Sequence, residues 1–280
     1  MLVFRADAGE IDGGGRMAPQ ALSAEITQIV DGAIGVATLS EPPVNALSER
    51  AVAAVLDALE RFEREHVRCV VLRADERAKV WSAGDDLKEI PLDGRDPVTW
   101  KTGFQRLLHR VREFPAPVVA MVHAGVWGGA CDVVATCDLV VGTPAATFAI
   151  TPAKLGIPYN TGGLTHFLGV LPLHVVKEML FTGAPISAER AERLGLLNYL
   201  VPPDQLETKT LELARTIASR APLALRVLKM ELRSLTGALS LSADEFERLQ
   251  SARIEAARSG DLEEGIRAFF EKRPPVFRGR

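Results

Sequence analysis

Cysteine is scarce in this 280-residue chain, and its three copies pair with nothing. Cys69, Cys131 and Cys137 are odd in number, at spacings that fit neither a disulfide framework nor a zinc site. They read as reduced, buried packing residues. The five histidines, His66, His109, His123, His166 and His174, show no metal-ligand spacing, and each reads as a surface or packing residue. No apolar run reaches membrane-spanning length, and the first 20 residues lack the apolar core of a secretion signal; a cytoplasmic protein is the expectation. A basic excess is missing too. The net charge is −3, which argues against a nucleic-acid surface. What is present is ordinary for a globular protein: 47% apolar and 25% charged residues, in a length that suits one large domain or a domain with an appendage.

Residues 1 to about 20 carry Gly13-Gly14-Gly15 and little periodicity, and are expected to form a disordered arm. Ile26 to Val30 and Ile34 to Leu39 predict two strands around a turn at Asp31-Gly32. Ser48 is a good N-cap for a helix through Glu65, with Val52, Val55, Leu59 and Phe62 on one face. Cys69 to Leu72 and Val118 to Val122 are short continuous apolar runs, as strands buried on both sides require. A helix over Thr99 to Glu113 stops before Pro115 and Pro117, and another follows from about Gly129 to Thr136. Short strands are expected at Asp138 to Val141 and Thr147 to Ile150. From Pro152 onward helical periodicity takes over. The chain reads as α/β, with stacked β-β-α units over residues 21–200 and a helical region over 201–280. Helices with broad apolar faces at a chain end often pack on another subunit, so a homo-oligomer is expected.

The most informative segments are two glycine turns, Ser82-Ala83-Gly84-Asp85-Asp86 and Val126-Trp127-Gly128-Gly129-Ala130. Each follows an apolar strand-like run and leads toward a helix. Glycine lets a backbone close on a ligand, and a helix start leaves free N–H donors. Two such turns can each aim one N–H at a single carbonyl oxygen, which makes an oxyanion hole. Either turn alone is equally an ordinary strand-to-helix loop.

Taken together, the motifs resemble the enoyl-CoA hydratase/isomerase (crotonase) superfamily. The carrying stretches are Val44-Asn45-Ala46-Leu47, Lys79 to Glu89, Gly128-Gly129-Ala130, Cys137-Asp138-Leu139, Leu155-Gly156-Ile157-Pro158, Gly162-Gly163 and Ala191 with Leu194-Gly195-Leu196. The resemblance implies a crotonase-like spiral of β-β-α units with a C-terminal helical trimerisation region, as a homotrimer or a dimer of trimers. It implies an acyl-CoA substrate, with coenzyme A present as part of the thioester and no permanently bound cofactor. The oxyanion-hole donors would be the N–H groups of Asp85 and Gly129. The coenzyme arm would lie along Ala46, Leu47, Ala83, Asp86, Leu87 and Lys88, with Phe269 and Lys272 added from a neighbouring subunit. Lys88 and Lys272 are equally read as solvated surface lysines.

Hydratases of this family resemble one another in carrying two glutamates, at positions occupied here by Asp132 and Ala153. Water addition wants one group to orient the water and another to move the proton. One carboxylate is gone, and the other is retracted by one methylene, a displacement of about an ångström that can reduce rate ~100-fold. Pro91 to Pro97, Thr151-Pro152, Leu155 to Asn160, Asp244 to Arg248 and Glu271-Lys272-Arg273 look instead like the branch that decarboxylates methylmalonyl-CoA. There the tyrosine of the Pro-Tyr-Asn stretch, Tyr159 here, is the notable active-site side chain. A lone tyrosine is otherwise a packed residue. The expectation is a lyase acting on a malonyl-type thioester. The alternatives are a hydratase or isomerase using Asp132 as acid/base, and a catalytically weak acyl-CoA-binding oligomer. Asp132 is as readily a helix-start aspartate bonding free N–H groups. Asp85 stands where the family usually has alanine, and its side chain is expected to point away from the site.

Overall fold

The computed structural model describes residues 27–94, 96–97, 102–236 and 243–278. The expected N-terminal arm, Ile26 and residues 99–101 lie outside them. The chain opens with a hairpin of β1 (Thr27–Val30) and β2 (Ile34–Leu39), turned by Asp31 and Gly32, which both take positive φ. Helix α1 (Glu49–Arg64) follows, its first turn capped by the Ser48 hydroxyl accepting from Ala51 N–H. Then come β3 (Cys69–Ala74), α2 (Gly103–Glu113) and β4 (Val118–Val122). Next are β5 (Val126–Trp127), α3 (Gly129–Thr136), β6 (Leu139–Gly142) and β7 (Thr147–Ala149). A 3-10 turn at Pro152–Leu155 leads to α4 (Thr161–Val170) and α5 (Leu173–Thr182). The chain continues through β8 (Ile186–Ser187), α6 (Ala188–Arg193), β9 (Tyr199–Leu200) and α7 (Leu206–Ala218). It ends with α8 (Pro222–Thr236), α9 (Ala243–Arg258) and α10 (Gly260–Glu271).

A six-stranded sheet has the order β1-β2-β3-β4-β6-β9, parallel from β2 onward; a second sheet runs β5-β7-β8. The unbroken apolar run of β3 has its reason here. Val70 and Leu72 pack with α1 and α2 residues such as Val52, Phe62 and Leu107, while Cys69 and Val71 face Leu206, Ala214 and Ala218 of α7. The three cysteines are free and buried. The two-residue strands β5, β8 and β9 carry no periodicity that a sequence could show; tertiary pairing alone makes them strands.

Strands β3 and β4 are parallel neighbours, so the segments leaving their carboxyl ends lie side by side. Both glycine turns sit on those segments. Open α/β sheets place ligands at this edge.

Candidate active site

Segment 80–86 is stitched on both sides. Trp81 is fully buried and its indole N–H donates to Met121 O at 2.8 Å, which ties the loop to β4. On one flank, Ala83 N–H donates to Val44 O, Leu47 N–H donates to Gly84 O at 2.8 Å, and the Ser82 hydroxyl donates to Asn45 O at 2.6 Å. On the other, Trp81 N–H donates to Gly125 O and Trp127 N–H donates to Ser82 O at 3.0 Å. The two glycine turns therefore touch. A Cβ on Gly84 would stand 2.6 Å from Trp127 O and 2.8 Å from Gly129 N, and its φ of +87° suits glycine alone. Gly129 is the first residue of α3, so its N–H has no partner within the helix. No main-chain oxygen among the described residues accepts from Asp85 N–H either. The Gly84 turn thus lies against the positive end of a helix, where negative charge is favoured, and the main-chain N–H of Asp85, the next residue, bonds its own carboxylate.

The Asp85 side chain corrects the expectation that it points away. Its Oδ2 lies in contact with the place a Gly129 Cβ would occupy, and its Cγ is 3.2 Å from that place, beside Phe104. Burial, and then the charges of Asp132 and Glu89, push its carboxyl up to about 6 against the opposing pull of its own main-chain N–H. The loop's tight approach to Gly129 fixes this inward aim, which no spacing in the sequence reveals.

Asp132, on α3, is completely buried. Its Oδ2 accepts from Tyr159 OH at 3.1 Å and its Oδ1 lies 2.6 Å from His166 Nδ1. Arg112 Nη1 stands 3.2 Å from His166 Nε2. A guanidinium only donates, so Nε2 accepts and the ring proton sits on Nδ1, aimed at Asp132. His166 is thus neither a surface nor a packing residue, as the sequence suggested. It faces Asp132 from α4, 34 positions along the chain, and no local pattern points to such a pair.

Tyr159 packs edge-on against Phe167 and over Gly163, where a Cβ would run into the Tyr159 ring and stand 2.6 Å from Asp132 Oδ2. Asn160 caps α4 by accepting from Gly163 N–H at 2.6 Å, which holds that glycine in place. Burial first, then the charges of Asp132 and Asp85, raises the Tyr159 hydroxyl well above its usual 10. It is a permanent hydrogen-bond donor.

Ala46, Ala83, Asp86 and Leu87 are half-buried along the stitched segment, and Lys88 is exposed. The Leu47 side chain is buried in the core, so that residue offers only main chain. Asp86 Oδ1 accepts from Lys88 N–H at 3.0 Å, closing the turn. Helix α10 packs on its own chain, through Leu262 and Ile266 against Ile157. Phe269 and Lys272 project into solvent at its end, away from these contacts. Ala153 is exposed on the 3-10 turn and brings no carboxylate. Among the described residues no cluster of histidine, cysteine, aspartate and glutamate is arranged to hold a metal.

The model of the enoyl-CoA hydratase/isomerase family matches residues 30–280. Methylmalonyl-CoA decarboxylase of Escherichia coli strain K12 is 41% identical over 236 residues, 84% of this chain and 90% of that protein. A structure of methylmalonyl-CoA decarboxylase in complex with 2-nitronate-propionyl-CoA superposes with a TM-score of 0.88 at 38% identity, over 91% of this chain and 98% of the other. A second, of that enzyme complexed with 2S-carboxypropyl-CoA, gives the same TM-score and identity over 94% of this chain and 100% of the other.

Proposed function

The chain belongs to the enoyl-CoA hydratase/isomerase family, and from that premise we propose that it is a lyase decarboxylating a malonyl-type thioester, methylmalonyl-CoA to propionyl-CoA. The observation that carries the reading is the contact of the Gly84 and Gly129 turns beside Tyr159. Decarboxylation needs an electron sink and a fixed geometry. The sink is the thioester carbonyl, whose oxygen accepts from Asp85 N–H and Gly129 N–H. Each such donor typically supplies ~100–1,000-fold in rate. The geometry is a breaking C–C bond held perpendicular to the carbonyl plane, so that its electrons enter the enolate. Tyr159 OH turns from Asp132 to the substrate carboxylate and fixes that angle. No general base is required, which accords with Ala153.

A hydratase or isomerase using Asp132 is disfavoured by burial: both Asp132 oxygens are engaged, by His166 and Tyr159. Coenzyme A enters only as the substrate's carrier, along Ala46, Ala83, Asp86, Leu87 and Lys88, with Phe269 and Lys272 reaching a neighbouring protomer's site. Exposed apolar residues on α8, Leu223, Val227, Leu228, Leu232 and Leu235, support a trimer or a dimer of trimers. No helix among the described residues is long and apolar enough to cross a membrane, and three unpaired buried thiols fit a cytoplasmic enzyme.

Incubation with methylmalonyl-CoA tests the function. Equal amounts of CO2 and propionyl-CoA are expected. Loss of enoyl absorbance from crotonyl-CoA without CO2 release from methylmalonyl-CoA would overturn it.

A further inference from the structure

In that decarboxylation Asp85 serves only through its main-chain N–H. Resting on that reading, we propose that the Asp85 carboxyl is the acid that quenches the enolate, delivering its proton to the α-carbon once CO2 has left. Position supports this first. The carboxyl lies against Gly129, beside the hole that holds the thioester oxygen. The α-carbon is two bonds from that oxygen, so an acid beside one is within reach of the other.

Hydrogen bonding supports it second. Asp132 has its oxygens taken by His166 and Tyr159, whereas no side chain among the described residues donates to Asp85. The group that favours an ionised Asp85 is its own N–H, the same donor the oxyanion needs. A neutral Asp85 releases that N–H to the substrate; an ionised one competes for it.

Charge supports it third. The charged groups facing Asp85 are Asp132 on α3 and Glu89 on its own loop, both acids. Tyr159, before α4, is neutral, and Phe104 of α2 is apolar. Burial and these neighbours already hold the carboxyl near 6. An entering malonyl carboxylate adds one more negative charge and favours proton uptake. Tyr159 is the poorer acid, since its hydroxyl is shifted upward and bonded to Asp132.

The step balances. The C–C electron pair moves into the thioester carbonyl and CO2 departs. The carbonyl reforms as the α-carbon takes the proton from Asp85, which is left as a carboxylate. Asp85 recovers a proton from solvent, so one proton is consumed per CO2.

Turnover of methylmalonyl-CoA in D2O, with the configuration of the [2-2H]propionyl-CoA determined, tests this. The wild type should give one configuration. Asp85→Ala, which keeps the main-chain donor, should lower kcat about 100-fold, and Asp85→Asn likewise. The residual product of both should carry deuterium in both configurations, because solvent then protonates the enolate. A single configuration retained by both variants would overturn the proposal. So would loss of CO2 release in both variants while 2-nitronate-propionyl-CoA still binds, since Asp85 would then act in bond cleavage. Absence of CO2 from the wild type would overturn the decarboxylase reading, and this inference with it.

Discussion

Asp85 destabilises the fold that holds it, and the size of that effect follows from its surroundings. In the unfolded chain the carboxyl titrates at the ordinary 3.8; folding moves it to about 6. The folded state therefore binds more protons between those values, and stability falls as pH rises through that interval. At 1.36 kcal/mol per unit, the ionised carboxyl costs the folded state about 3 kcal/mol at pH 7.5 and about 1 kcal/mol at pH 4.5. Asp85→Asn keeps the shape and removes the charge. It should be the more stable protein by about 3 kcal/mol at pH 7.5, with the advantage shrinking to about 1 kcal/mol at pH 4.5. Guanidinium unfolding of both proteins at the two pH values, at one fixed protein concentration, measures this. An advantage that does not change with pH, or a variant less stable at pH 7.5, would refute the buried, acid-flanked placement of the carboxyl. An enzyme that keeps such a group trades stability for its chemistry.

Tyr159→Phe removes the hydroxyl that orients the carboxylate; kcat for CO2 release should fall about 100-fold, while binding of propionyl-CoA, which has no carboxylate to orient, measured by calorimetry, should change far less. Gly84→Ala would place a Cβ 2.6 Å from Trp127 O and 2.8 Å from Gly129 N at a φ of +87°; kcat should fall by ~100-fold or more as the hole is forced open, and full activity would contradict the contact. His166→Ala removes a donor from a completely buried carboxylate, and the denaturant midpoint should drop by the equivalent of about 2–3 kcal/mol.

Much of the fold was legible because its signals are local. Ser48 before a 3.6-residue apolar pattern gave α1, and unbroken apolar runs gave β3 and β4. The close backbone approach at the Gly84 and Gly129 turns was legible because it demands glycine. The inward aim of Asp85 was not, since it depends on how tightly loop 82–86 meets loop 127–129. The Arg112–His166–Asp132–Tyr159 chain was hidden for a similar reason. Its members come from α2, α4, α3 and the loop before α4, and only the packing of those helices joins them. Strands β5, β8 and β9, at two residues each, had no room for a periodic signal.

A crystal structure of the protein with 2-nitronate-propionyl-CoA bound measures the centre of this account. The thioester oxygen should lie about 3 Å from both Asp85 N and Gly129 N, with the Tyr159 hydroxyl on the nitronate. An oxygen beyond hydrogen-bond reach of either nitrogen would contradict it.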